Sequence, residues 1–298
     1  MVNESLKQEI FFSIVIPTLN EERYLPLLLS DLAKQTFKSF EVIIVDAKSE
    51  DKTIYSANKF KKCFRSLLII KSPLRNVSYQ RNIGAKRAVS KWLLFTDADN
   101  RFPHYFLQGI KFKLEMNDAD ILATWIKPDI DNNKDKAAVT LSNIFVDIQK
   151  TSKNPFLFES MICIKKNSFE KLKGFNESLA VGEGSDLLRR AYRKKMRFYF
   201  SKEPKYQTSL RRIRKIGAFK SLRNMAQIEL ARLRNKQLPR RKAQHLYPME
   251  GGKYFEVDET NRSKMEKIVS IFFQTQKISR VKLRKENFIT ILINKIFK

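Results

Sequence analysis

The strongest constraint on the fold is a pattern repeated through the first hundred residues. An apolar run stops abruptly on polar or acidic residues, and an amphipathic segment follows. The run FFSIVIPTL (11–19) stops at Asn20-Glu21-Glu22 and gives way to RYLPLLLSDLAKQ (23–35), where Leu25, Leu28, Leu29 and Leu32 share one helical face. FEVIIVDAKSEDKT (40–53) repeats the scheme, closing on Asp46 before a polar turn and a helix from about Thr53. SLLIIKS (66–72) predicts a third strand, YQRNIGAKRAVS (79–90) lies on the next helix, and KWLLFTDADN (91–100) predicts a fourth strand. Apolar runs of this kind belong to strands buried on both faces, and strands alternating with helices belong to a parallel sheet. The expected fold class is therefore α/β, a mostly parallel sheet with helices on both faces. Ligands of such sheets bind beyond the carboxyl ends of the strands. Asn20-Glu21, Asp46 and Asp97/Asp99 all fall there.

The middle of the chain is less regular. ADILATWI (119–126) reads as a strand, AAVTLSNIFVDIQK (137–150) as a helix and FESMICIKK (158–166) as a strand. A short helix, the stretch KGFNESLAVGEGSDLLRRAYRKK (173–195) and a last strand, MRFYFS (196–201), complete the unit. Composition then changes. Phe219, Leu222, Ala226, Leu230 and Leu233 keep helical spacing among basic residues, as do Met265, Ile268, Val269, Phe272 and Phe273, and FITILINKIFK (288–298) ends the chain. The expected division is a domain over 1–215 and a basic, amphipathic helical extension over 216–298.

Charge supports that division. The chain carries 59 Lys+Arg against 31 Asp+Glu, a formal net charge of +28. Residues 201–298 hold 25 basic and 8 acidic side chains, against 34 and 23 in the first 200. An anionic partner of the last third (phosphate, nucleic acid or anionic lipid) is one reading, and a solvated basic surface is the other. Two distant cysteines, Cys63 and Cys163, and two histidines give no zinc-ligand spacing and point to a reducing compartment. The N-terminus reads as a first strand and not as a leader, and no apolar run approaches the ~20 residues needed to span a bilayer. The expectation is a cytoplasmic protein, free or peripheral on the cytoplasmic face of the membrane.

Two carboxylates at i and i+2 beyond a buried strand, Asp97 and Asp99, can reach one divalent cation. Mn2+ and Mg2+ favour oxygen ligands and bridge to substrate phosphates. Such a cation neutralises a diphosphate as it departs from an electrophilic carbon. Aspartates are also ordinary turn residues, so the pair acquires meaning from its company.

That company is specific. SIVIPTLNEERYL, EVIIVDAKSEDKT, RNIGAKRA, LLFTDADN and GFNESLAVGEGSDLLRRA occur in this order, and together they resemble the family 2 glycosyltransferases of the GT-A fold over about residues 10–200. The resemblance implies a GT-A type, Rossmann-like sheet and a transferase that takes a sugar from a nucleoside-diphosphate sugar, usually with inversion. It assigns Pro17, Thr18, Asn20 and Glu21 to the nucleotide pocket and Asp46 to the base. It sets Arg81 and Asn82 near base and diphosphate, and gives the metal to Asp97 and Asp99. Read locally, Asn20 can instead cap the next helix, and Arg81 can be a solvated helix charge.

Three departures from the family pattern stand out. Relatives often carry Glu-Asp-x-Asp-Leu, whose second residue is the usual base. Here Glu183-Gly184-Ser185-Asp186-Leu187 puts glycine at that place. Glu183 or Asp186 can take over the proton transfer, or the acceptor can arrive already ionised; Asp186 can equally cap the following helix. Asp46 is followed by Ala47-Lys48 where many relatives have Asp-Gly. Relatives often place a histidine just after the last strand; here the corresponding stretch, YQTSLRRIRKIG (206–217), has none and offers Arg211 and Arg212 to a diphosphate or an anionic acceptor. A solvated basic loop is the alternative. The expected partners are a sugar donor, a lipid-phosphate, glycan or other acceptor and an anionic membrane surface, with no nucleic acid. A sugar nucleotidyltransferase would show a glycine-rich phosphate loop where this chain has PTLNEERYL. A nucleic-acid-binding protein would leave carboxylates facing phosphates at the strand ends.

Overall fold

In the computed structural model, residues 9–150, 152 and 155–217 are described, with scattered positions between 220 and 253. The elements in chain order are β1 (Phe12–Thr18), α1 (Leu25–Ala33), β2 (Phe40–Asp46), α2 (Thr53–Asn58), β3 (Leu67–Lys71), α3 (Val77–Arg87), β4 (Trp92–Thr96) and α4 (Phe106–Asn117). They continue as β5 (Ile121–Pro128), α5 (Asn133–Gln149), β6 (Met161–Lys165), α6 (Lys166–Lys171), α7 (Glu183–Arg193), β7 (Phe198–Thr208) and α8 (Arg211–Ile216). The seven strands form one sheet in the order β3-β2-β1-β4-β6-β5-β7. β6 runs antiparallel to β4 and β5, and every other neighbouring pair is parallel.

Side chains alternate across a strand with period two, and here both sets are apolar. Phe12, Ile14 and Ile16 of β1, Val42 and Ile44 of β2, and Trp92 and Leu94 of β4 point to one core, packed under α1 and α4. Val15, Ile43, Val45, Leu93 and Phe95 point to the opposite core with Ala85 of α3, Phe169 of α6 and Leu187 and Leu188 of α7. Burial on both faces explains why these strands read as unbroken apolar runs.

Two of the helices have a side-chain cap that fixes where they start. The Asn76 side chain accepts from the Tyr79 amide to cap α3, and Asn132 does the same from Asp135 for α5. Gly84 lets α3 lie directly on β1: a Cβ there would stand 2.4 Å from Val15 Cγ1 and 3.1 Å from Val45 Cγ2.

Two differences from the sequence reading matter. The helix α4 is absent from that reading because exposed Phe112 and Met116 interrupt its buried stripe of Phe106, Leu107, Ile110 and Leu114. The last strand also runs on to Thr208, pairing Tyr206, Gln207 and Thr208 with β5 beyond a register shift. It thereby delivers Arg211 to the carboxyl edge of the sheet. Phe219, Leu222, Ala226, Leu230 and Leu233, and the runs named at 265–273 and 288–298, lie outside the described residues. Among the described residues no helix is long and apolar enough to cross a membrane.

β1 is flanked by β2 on one side and β4 on the other, so the chain reverses its direction of travel across the sheet between β1 and β4. That switch point opens a crevice beyond the carboxyl ends of the two strands. Thr18 and Asn20 follow one of them, and Asp97 and Asp99 follow the other.

Candidate active site

The β1 and β2 ends are tied together by hydrogen bonds. Pro17, Thr18 and Asp46 are buried within the strand ends. The Thr18 hydroxyl donates to Asp46 Oδ1 at 3.2 Å, and Asp46 Oδ2 accepts from the Ser49 amide at 3.0 Å. Asn20, at φ 55°, donates its amide to Ser49 Oγ and accepts from the Glu50 amide, each at 2.8 Å. Asn20 and Asp46 thus set the shape of two adjoining loops, and the turn Asp46-Ala47-Lys48 holds without the glycine many relatives use. Gln80, which sequence reasoning missed, donates to the Thr18 and Val45 carbonyls at 3.0 and 2.6 Å, locking α3 to both strand ends.

At the β4 end the backbone is fixed before any ligand is considered. The Asp97 amide donates to the Ser160 carbonyl at 3.0 Å, and Asn100 Nδ2 donates to the same oxygen at 2.6 Å. Arg81, only 2% exposed, reaches this point from α3. Its Nη2 donates to Asp97 Oδ1 at 2.8 Å and to the Glu159 carbonyl at 3.0 Å, while Nη1 donates to Glu183 Oε1 at 2.8 Å. Far from being a solvated helix charge, Arg81 is the buried counter-ion of two predicted site residues. Burial works against its charge, but Asp97 and Glu183 more than restore it and hold the guanidinium protonated. Burial pushes the Asp97 carboxyl up to about 6; Arg81 opposes the shift and Asp99 adds to it.

A second arginine faces the first across the site. Arg211 Nη2 lies 2.8 Å from Glu21 Oε1 and 3.4 Å from Asp99 Oδ2, and its guanidinium stacks 4.2 Å from the Tyr24 ring. Burial pushes Glu21 up to about 8 against the pull of Arg211, with Asp99 and Asp97 adding to the rise. Asp99 is likewise raised by burial, against Arg211 and Arg212. Two polar atoms of this pair, Glu21 Oε2 and Arg211 Nη1, are buried without a hydrogen-bond partner. Arg212 stacks on Tyr247 at 4.2 Å.

The structure therefore brings together Glu21, Arg81, Asp97, Asp99, Glu183, Arg211 and Arg212. Asn82 and Asp186 are engaged elsewhere. The Asn82 side chain donates to the Phe175 carbonyl at 2.9 Å and to Glu177 Oε1 at 2.7 Å, and accepts from the Phe175 amide at 2.9 Å. It clamps the loop before α7. Asp186 is bound by Arg189 at 3.0 Å and Arg190 at 2.8 Å on its own helix, and Arg190 continues to the Gly174 carbonyl at 2.8 Å. Its i+3 and i+4 partners were visible as LLRR in the sequence, and they favour a structural carboxylate.

One acidic residue escaped the sequence reading altogether. Glu159, just ahead of β6, accepts through Oε1 from the Gly184 amide at 2.8 Å and the Ser185 amide at 3.3 Å. Burial and the neighbouring Glu183, with which it shares a hydrogen bond, hold its carboxyl well above the usual range. Its position off the sheet edge, in a stretch with no recognisable motif, gave no signal.

Among the described residues no three His, Cys, Asp or Glu side chains converge as a closed metal centre. A cation at this edge would have two aspartates and draw its other ligands from substrate and water, the usual habit of Mg2+.

A helix-covered, mostly parallel sheet with charged side chains gathered at its switch point defines an α/β protein that binds its ligand there, and comparison with known proteins assigns it a family. The profile of Glycosyl transferase family 2 matches residues 13–173, more than half of the chain, and the chain belongs to that family. The poly(ribitol-phosphate) beta-N-acetylglucosaminyltransferase TarS of Staphylococcus aureus is 30% identical over 119 residues, 39% of this chain and 21% of TarS. A PGL/p-HBAD biosynthesis glycosyltransferase of Mycobacterium tuberculosis is 41% identical over 90 residues, 30% of this chain and 35% of the relative. The chain thus matches only about a fifth to a third of the length of these relatives. Among solved structures, TarS 1-349 with UDP-GlcNAc aligns at a TM-score of 0.56 with 21% identity, over 79% of this chain and 70% of that one. Mannosyltransferase PcManGT from Pyrobaculum calidifontis, with GDP-Man and Mn2+, aligns at 0.59 with 15% identity, over 97% and 81%. The family and the GT-A fold expected from the sequence are both borne out.

Proposed function

We propose that this protein transfers a sugar from a nucleoside-diphosphate sugar to a hydroxyl of a lipid-linked or polysaccharide acceptor, with inversion and with Mn2+ or Mg2+ held by Asp97 and Asp99. The observation that carries this reading is the meeting of Asp97, Asp99, Glu21, Arg81 and Arg211 at the switch point of the sheet. The loops shaped by Thr18, Asn20 and Asp46 form the side of the crevice where the nucleotide binds, with Pro17 behind them. Arg211 Nη1, buried and without a hydrogen-bond partner, is a donor suited to a diphosphate oxygen.

The donor set fits a hard cation. Arg81 takes one oxygen of Asp97 and Arg211 approaches one of Asp99, so each carboxylate keeps a second oxygen. Both carboxyl groups are held above their ordinary range by burial, a cost that a bound cation would offset. When bound, the cation would draw off charge that develops on the departing diphosphate. Arg81 and Arg211 hold the two aspartates in place, and Gln80 keeps the β1 and β2 ends aligned.

The basic composition of 216–298 favours an extension that rests on anionic lipid at the cytoplasmic face, near a lipid-linked acceptor. Thermal-shift measurements against UDP-, GDP- and dTDP-sugars, with and without Mn2+, test the reading. The expected result is a metal-dependent rise in Tm with at least one donor, lost in Asp99→Ala. No shift across the whole panel, or an undiminished shift in the variant, would overturn it.

A further inference from the structure

The glycine at 184 and the carboxylate of Glu159 are two sides of one arrangement. A Cβ built on Gly184 would stand 2.8 Å from Glu159 Cγ, 3.3 Å from its Cδ and 3.1 Å from Ile162 Cδ1. The volume that an aspartate at 184 would fill is therefore occupied by the side chain of Glu159. The Gly184 amide, in the first turn of the eleven-residue helix α7, donates to Glu159 Oε1. The carboxylate that fills this place thus comes from the segment before β6 and not from α7.

Resting on the transferase reading above, we propose that Glu159 supplies the carboxylate that accepts the proton of the acceptor hydroxyl. In that step the acceptor oxygen forms its bond to the anomeric carbon. The bond from that carbon to the nucleoside diphosphate breaks with its electron pair going to the diphosphate, and the hydroxyl proton passes to a Glu159 oxygen and later to solvent.

The groups around Glu159 fit the task. Glu183 of α7 shares a hydrogen bond with it, and Arg81 of α3 donates to both the Glu183 carboxylate and the Glu159 carbonyl. Tyr247, stacked on Arg212, feels the charges of Glu159, Asp97 and Glu183 together, which places the three carboxylates near one another. A base needs a proton affinity near the working pH, and a carboxylate beside a second, paired carboxylate in a buried site acquires one. Glu183, committed to Arg81 through Oε1, acts as a positioning residue for Glu159.

The test uses the full chain and measures nucleoside-diphosphate release from UDP-GlcNAc and GDP-mannose. Three variants are compared with wild type: Glu159→Gln, Glu159→Ala, and Glu159→Ala combined with Gly184→Asp. Glu159→Gln keeps the hydrogen-bond acceptor and lowers kcat by roughly 10²–10⁴-fold, with donor KM within about threefold of wild type. Its kcat loses the acidic limb of the pH profile. In the double variant the Glu159 side chain no longer blocks position 184, and the relocated aspartate recovers at least about tenfold over Glu159→Ala, since a placed carboxylate is worth that much or more. Glu159→Gln with a wild-type kcat and pH profile, or a folded double variant as inactive as Glu159→Ala, overturns the inference and leaves the transferase reading standing. A wild-type chain that neither binds nor cleaves either nucleotide sugar overturns both.

Discussion

Replacing Arg81 by methionine would remove the guanidinium that reaches Asp97 and Glu183 together. The methionine fills much of the apolar stem's volume but restores neither charge nor hydrogen bonds. Glu183, as buried as Arg81 itself, would be left uncompensated, and the Glu159 carbonyl would lose its donor. Breaking a buried pair by removing one partner costs about 3–5 kcal/mol, and an orphaned buried carbonyl about 1–3 kcal/mol. These losses share one network and do not add in full, so a net cost of about 4 kcal/mol at pH 8 is expected. For a folded unit of this size that lowers Tm by about 10 °C.

The loss has a sign in pH. Without Arg81, which now pulls it down, the Glu159 carboxyl rises further above its ordinary range. A group raised in this way contributes stability that is present at low pH and lost as pH climbs through the folded value. The deficit is therefore smallest near pH 5 and largest near pH 8. Urea unfolding at both pH values, followed by circular dichroism, measures it. A deficit below about 1 kcal/mol at pH 8, against the 3–5 kcal/mol of a broken buried pair, would refute the assignment of Arg81 as the counter-ion. So would a deficit independent of pH.

Further outcomes follow from the same contacts. Phe95 packs against Phe169 and Phe175 at centroid distances of 5.1 and 5.0 Å, so Phe95→Ala costs about 3–5 kcal/mol in urea unfolding. Glu21 is raised to about 8 from 4.5, so its contribution to stability falls as pH rises across that window. Glu21→Gln flattens that part of the pH–Tm curve when Tm is followed in the presence of a chelator. Asp97 is raised to about 6, so Mn2+ with a nucleotide sugar binds more tightly as pH rises through 6, with proton release. Calorimetry in buffers of different ionisation enthalpy detects it.

The sheet was legible because burial on both faces writes itself directly into the strands: β1, β2 and β4 are apolar at both parities. The site was legible where residues follow a strand immediately, as Asp97 and Asp99 do after β4. It was not legible where function depends on which element fills a volume. Glu159 precedes β6 by two residues, and nothing local to FESMICIKK shows that its side chain lies against Gly184. Asn82 and Asp186 sit inside the motifs that carry the family resemblance, yet their side chains are spent on the 175–177 loop and on Arg189 and Arg190. Sequence spacing placed these residues on the right helices without determining their partners. Arg211 shows the converse case. The sequence offered it to a diphosphate or an anionic acceptor, but only the continuation of β7 to Thr208 shows that it lies against Glu21 and Asp99.

These partners explain how a protein of net charge +28 keeps an acidic centre. Glu21, Asp97, Asp99, Glu159 and Glu183 converge on two buried guanidiniums, those of Arg81 and Arg211, so carboxylates outnumber the arginines that directly pair with them. Four of the five have raised carboxyl pKa values, which means that protons meet part of the imbalance. A diphosphate added to such a centre worsens it, since two like charges 4 Å apart cost about 4 kcal/mol at an effective dielectric constant near 20. Protons alone offset this poorly at neutral pH. A divalent cation held by Asp97 and Asp99, as proposed, would offset it with two charges. The proposed requirement for a metal thus follows from the excess of carboxylates over paired arginines at the site.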